Sequence, residues 1–110
     1  MSPATTRFRI ARETDVSSIV HLLADDRLGA TREIATDPPP REYMDAFTAI
    51  DGDPNNELVV ATLDELVVGV LQLTYIPNLT HRGSWRGMIE GVRVSSSHRS
   101  AGVGTGMLQW

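Results

Sequence analysis

The run Met88-Ile-Glu-Gly-Val-Arg-Val94 leads directly into Ser95-Ser-Ser-His-Arg99-Ser-Ala-Gly102-Val-Gly104-Thr-Gly106-Met-Leu108. The first part is apolar and β-branched, as a strand requires. The second opens on serines and passes through closely spaced glycines toward a helix start. A strand, a tight turn and a glycine-rich helix start aim several backbone N–H groups into one concavity, and the positive end of the helix dipole favours an anion there. Gly102 and Gly104 let the backbone approach phosphate oxygens without a Cβ in the way, and Arg99 can add a charge-assisted bond. Gly91 lies inside the strand, where glycine marks a bulge or a close backbone approach.

Composition narrows the chemistry around this stretch. With 110 residues, 41% of them hydrophobic, the chain is read as one domain over residues 1–110. It has no cysteine, which excludes disulfides and thiolate metal sites and leaves the cytoplasm as the expected compartment. The opening Met1-Ser-Pro-Ala-Thr-Thr-Arg7 lacks the order of a signal peptide, and no apolar run is long enough for a membrane span, so no membrane partner is expected. The net charge of −4 argues against a nucleic-acid partner. All positive charge is arginine, and the absence of lysine excludes a lysine-dependent phosphate loop and Schiff-base chemistry. From Pro77 onward four arginines (Arg82, Arg86, Arg93, Arg99) face one acid, Glu90, a balance that suits an anionic ligand or a solvated surface.

Upstream, Phe8-Arg-Ile-Ala-Arg12 alternates like a half-buried strand. Thr14 or Asp15 can cap a helix with apolar positions Val16, Ile19, Val20 and Leu23 on one face. Residues 30–41, with Pro38-Pro39-Pro40, read as a loop. Tyr43, Ala46, Phe47 and Ile50 resume helical spacing until the turn chemistry of Asp51-Gly-Asp-Pro-Asn-Asn56. Glu57 to Leu63 and Leu66 to Ile76 read as a hairpin. Because Asp64-Glu65 is not a favoured two-residue turn, a slightly longer loop using the flanking leucines is expected. Met88 to Val94 is the next strand.

Two common phosphate motifs fail on residues. Gly102-x-Gly104 would need its third glycine at Met107 to form a dinucleotide fingerprint, and the nucleoside triphosphate loop needs a lysine.

The stretch from Ile89 to Leu108 resembles the acetyl-CoA signature of the GNAT family of N-acetyltransferases, in which Gln/Arg-x-x-Gly-x-Gly/Ala follows a Val-x-Val strand. Phe8-Arg-Ile-Ala-Arg-Glu-Thr-Asp15 and the helix after it look like that family's first strand and helix, and the element order that follows is also similar. The resemblance implies an α/β fold with a mixed, mainly antiparallel sheet and flanking helices. It further implies acetyl-CoA as cosubstrate, a primary amine of a small molecule or protein as acceptor, and no metal. Carried over residue by residue, it places the pantetheine arm against the backbone of Val92, Arg93 and Val94. The pyrophosphate would lie on the amides of Arg99, Ser100, Ala101, Gly102, Val103, Gly104 and Thr105.

The amine would attack the thioester directly, a strand N–H near the bulge would stabilise the oxyanion, and a base would take the amine's proton. Glu90, the only acid in the last third, is the candidate base. Its carboxylate could instead neutralise Arg93 or Arg86, or face water. His21 reads as a surface or boundary residue and His98 as a solvated turn residue. His81 and His98 share no metal-like spacing with His21. Tyr43 and Phe47 read as core, Pro38 to Tyr43 as lining for the acceptor, and Trp85 and Tyr75 as acceptor-side aromatics.

Two departures stand out. Ser100 occupies a place where the family most often has glycine. The family also continues for several dozen residues beyond the point matching Trp110, so the expectation is a fold whose C-terminal half is missing. In that case the strand from Met88 to Val94 is an uncovered edge, open to a homodimer contact. The alternative function is a non-catalytic CoA-binding or dimerising remnant of the same fold.

Overall fold

The computed structural model describes residues 6–25 and 28–95; Arg99 to Thr105 and the glycine-rich helix start lie outside them. The described chain runs β1 (Thr6–Ile10), a 3-10 turn (Glu13–Asp15), α1 (Val16–Ala24), α2 (Gly29–Arg32), α3 (Arg41–Asp51), β2 (Asn56–Leu63), β3 (Leu66–Pro77), α4 (Thr80–Gly83) and β4 (Trp85–Val94). The strands form one sheet in the order β1-β2-β3-β4, with every neighbouring pair antiparallel.

The two central strands carry the core because they are covered on both sides. Val59, Val60, Ala61 and Val68 have no exposed surface, and Val70 and Leu71 have 2% and 1%. On one side Val60 and Val70 pack with Val16, Ile19, Val20 and Leu22 of α1 and Phe47 of α3. On the other, Val59, Ala61, Val68 and Leu71 gather Phe8, Leu63, Leu73, Val92 and Val94. Burial on both faces is why these strands read as continuous apolar runs rather than alternating ones. Leu22, outside the expected helical stripe, is buried, and Leu23 packs half-buried against the cluster.

Several local expectations are corrected. Neither Thr14 nor Asp15 caps α1 through its side chain: a 3-10 turn precedes the helix, and the Asp15 carboxylate reaches backward. It accepts the Arg12 N–H at 2.7 Å and both Nη groups of Arg9 at 2.7 and 2.9 Å. Arg9, opposite Val60 in the register, lies on the helix-covered face of β1, and Ile10, at the strand's end, is 44% exposed. Residues 30–41 are not all loop, since α2 occupies their start and packs on α1. Four residues are too few to show apolar periodicity.

The β2–β3 hairpin needs no longer loop. Leu63 pairs with Leu66 across Asp64-Glu65, and both turn residues adopt positive φ, 50° and 67°, as the twist of a two-residue hairpin demands. β4 begins at Trp85, three residues earlier than its apolar run indicates. Ahead of it, His81, Arg82 and Gly83 make a left-handed turn within α4.

The hydrogen bond from Arg9, opposed by burial and aided by the Arg12 amide, holds the Asp15 carboxyl below its ordinary value. A depressed folded-state pKa gives stability that is present above the unfolded pKa and lost as pH falls through the folded one. Asp15→Asn should therefore cost about 1–3 kcal/mol at neutral pH. The gap to the parent should close in acid, below roughly pH 4, as followed by denaturant unfolding across pH. Glu65→Gly relieves a left-handed conformation that costs an L-residue about 1–2 kcal/mol. It should raise the midpoint of thermal unfolding by several degrees, or about 4–8 °C per kcal/mol for a domain of this size.

Candidate active site

Glu90 is placed by β4. Its Cα partner on β3 is Gln72, so both side chains lie on the sheet face that α1 and α3 cover. Beyond it the ladder slips: Gln72 pairs with Glu90, but Val70 pairs with Arg93, so Gly91 and Val92 together oppose Leu71. Gly91 takes φ +62°, and this is the bulge expected from a glycine inside the strand. Regular alternation from Glu90 would send Val92 and Val94 under the helices and Arg93 to the other face. The bulge reverses that phase: Val92 and Val94 join the second core cluster, while Arg93 sits opposite Val70. The Arg93 guanidinium donates to the Val92 carbonyl at 2.9 Å.

A cavity of about 230 Å³ opens beside the bulge. Val16, Ile19 and Val20 of α1 form one wall, Phe47 and Ile50 of α3 the other, and Val70 lies beneath. Its polar lining consists of Tyr43, Gln72 and Glu90. The Tyr43 hydroxyl donates to Glu33 Oε1 at 2.8 Å and accepts the Ile34 N–H at 3.0 Å, which ties the segment after α2 to α3. Gln72 donates its amide N–H to Asn56 Oδ1 at 3.2 Å. Glu90 is exposed and makes no ion pair among the described residues, so the expected alternative of neutralising Arg86 or Arg93 is not what the geometry displays.

Other sequence candidates are distributed differently. Phe47 is buried and also lines the cavity; of the stretch from Pro38 to Tyr43, Tyr43 alone reaches it. Trp85 and Tyr75 do not line it. Trp85 is 61% exposed, and the Tyr75 hydroxyl donates to Glu57 Oε2 at 3.3 Å. His21 is exposed, with Nδ1 2.7 Å from the Ser17 carbonyl. Among the described residues no three His, Asp or Glu side chains gather as a metal site would require. His98, like Arg99 to Thr105, falls outside the described residues. At the C-terminal end of β4 a second, open depression of about 620 Å³ lies against Ser17, Ser18, His21 and Ser95, where the strand passes into the glycine-rich segment.

Gln72 escaped the sequence reading. Its signal was present, since it is the lone amide in Val67-Val-Gly-Val-Leu-Gln-Leu73, a run otherwise apolar apart from Gly69.

The chain is similar to known proteins in both sequence and fold. The family model described as Acetyltransferase (GNAT) family matches residues 17–110, and the chain belongs to that family. Among solved structures it is similar to one described as a transcriptional regulator from Bacillus halodurans. The TM-score is 0.92 and the identity 47%, over 96% of this chain and 71% of that one. A putative acetyltransferase from Agrobacterium tumefaciens has TM-score 0.77 and 23% identity, covering 94% of this chain and 68% of its own. A structure described as a predicted acetyltransferase with acetyl-CoA, from Clostridium acetobutylicum, has TM-score 0.70 and 19% identity, covering 96% of this chain and 70% of its own. The last two, at such low identity, show the fold alone. No curated protein matches the chain. The expected α/β architecture with a mainly antiparallel sheet is the one observed, and it spans about 70% of such a neighbour's length. No described helix is long and apolar enough to cross a membrane.

A Cβ at Gly91 would meet nothing within 4 Å, so the constraint at this position is purely its backbone angle. Gly91→Val should destabilise by about 1–2 kcal/mol, read by thermal unfolding. Gly91→Asn should lose less, because asparagine tolerates the left-handed region better.

Proposed function

We propose that the chain transfers an acetyl group from acetyl-CoA to a primary amine by direct attack, with Glu90 as the base. The observation that carries this reading is Glu90 in a cleft immediately beside a glycine bulge in β4, on a chain of the GNAT family. Support for the cosubstrate comes from family membership and from the likeness to a structure holding acetyl-CoA. β4 lies at one edge of the sheet among the described residues, as pairing with a pantetheine arm requires. In this reading the backbone of Val92, Arg93 and Val94 lies along that arm, and the amides from Arg99 to Thr105 hold the pyrophosphate.

The chemistry asks three things of the protein. An ammonium has no lone pair, so Glu90 accepts its proton, directly or through one water. The neutral amine then forms the C–N bond at the thioester carbonyl, and a strand N–H at the bulge stabilises the negative oxygen. As the tetrahedral species collapses the C–S bond breaks, the attacking nitrogen gives up its second proton to solvent to become the neutral amide, and the CoA thiolate leaves and takes up a proton from solvent. Apolar walls from α1 and α3 keep bulk water from the thioester, which limits hydrolysis.

A second reading is binding of acetyl-CoA without turnover; the description of the Bacillus halodurans neighbour as a transcriptional regulator favours it. Thiol release from acetyl-CoA with a panel of primary amines separates the two. Turnover by the chain supports the transferase, and tight binding without amine-dependent release supports the second reading. Glu90→Gln should lower turnover by about 10²-fold or more while leaving acetyl-CoA affinity unchanged. Equal rates for parent and variant across the pH range would remove Glu90 from the mechanism.

A further inference from the structure

The cleft beside Glu90 has a composition that selects among amines. Its walls are aliphatic and aromatic, and its few polar groups are mostly committed: the Tyr43 hydroxyl to Glu33 and Ile34, the Gln72 amide N–H to Asn56. The Glu90 carboxylate has no hydrogen-bond or ion-pair partner among the described residues. Among the described residues no arginine lines the cleft, so a phosphate or carboxylate on the acceptor finds no countercharge from them. Sugar hydroxyls would lose water and gain little, because burying a polar group without a new hydrogen bond is unfavourable.

Size sets a second limit. An apolar cavity of about 150 Å³ stays dry and accepts benzene, and this one holds about 230 Å³. That is room for one ring, or a branched alkyl group of similar bulk, and a short linker. The cleft borders β4, an edge strand among the described residues, through Glu90 and Gly91.

Resting on the acetyl-transfer reading above, we infer that the acceptor is a small amphiphilic primary amine, an arylalkyl- or branched alkylamine. Its apolar part fills the slot between α1 and α3, and its ammonium meets the Glu90 carboxylate. The apolar walls take the hydrocarbon part out of water, while the charge contact forms at the exposed carboxylate. They also hold the nitrogen at the bulge, where the thioester would lie.

Ala46 provides the discriminating substitution. It lines the slot from α3 yet is solvent-exposed, so a larger side chain fills the slot without disturbing the buried core. The experiment titrates the 110-residue chain with 2-phenylethylamine, 2-phenylethanol and glucosamine by calorimetry. Thermal unfolding confirms that each variant is folded. The expected result is that 2-phenylethylamine binds and glucosamine does not. Ala46→Trp should abolish binding and Ala46→Leu weaken it. Glu90→Gln should weaken the amine roughly tenfold while leaving 2-phenylethanol unchanged. Glucosamine binding as well as 2-phenylethylamine, or binding indifferent to both Ala46 variants, overturns the inference.

Amine-dependent thiol release run alongside keeps the two proposals apart. Acetylation of polar amines with no slot binding of 2-phenylethylamine sinks the substrate class and spares acetyl transfer. Slot binding of 2-phenylethylamine without any thiol release sinks acetyl transfer and leaves the slot as an amine-binding site.

Discussion

The described structure depends on burying one hairpin from both sides. β2 and β3 place Val60 and Val70 under α1 and α3 and Val59, Ala61, Val68 and Leu71 on the opposite face. A strand pair with two hydrophobic faces must be sandwiched, so the helices are confined by the sheet rather than by their own propensity. α1 has nine residues and α3 eleven, lengths that are marginal in isolation. Their spacing over the hairpin also leaves the cleft, since α1 packs chiefly on β3 and α3 on β2.

Charge works at one junction. Arg9 and Asp15 lie on either side of the passage from β1 to α1, and the carboxylate also takes the Arg12 amide. A bidentate arginine pair with a largely buried carboxylate has more geometric value than an exposed pair such as Arg41 with Asp45, where both partners are open to solvent. Here the pair fixes the angle at which α1 leaves the sheet, and with it one wall of the cleft.

What could be read from sequence followed from periodicity and from residues with narrow conformational roles. The stripe Val16, Ile19, Val20 marked α1, the spacing of Tyr43, Phe47 and Ile50 marked α3, and Gly91 marked the bulge. Features set by tertiary partners were not legible. Asp15 looks like a helix cap, and Arg9 of the preceding strand, brought near by folding, draws it away together with the Arg12 amide. Asp64-Glu65 has poor turn chemistry, yet the tightly paired apolar strands on either side impose the two-residue turn. At the site, Glu90 was visible as an isolated acid. Its setting was not, because that depends on Gln72, Ile50 and Val16, which come from three separate elements.

The bulge at Gly91 has a meaning that packing alone does not supply. With residue 91 deleted, Glu90, Val92, Arg93 and Val94 would alternate regularly and keep the same faces they occupy now. The hydrophobic core would therefore be served equally well by a strand one residue shorter. The surplus residue leaves its mark at the lip of the cleft, where it breaks the ladder and turns a length of backbone out of regular pairing. A glycine that the core does not require, held in a conformation few other residues adopt, sets the shape of β4 where it borders the cleft.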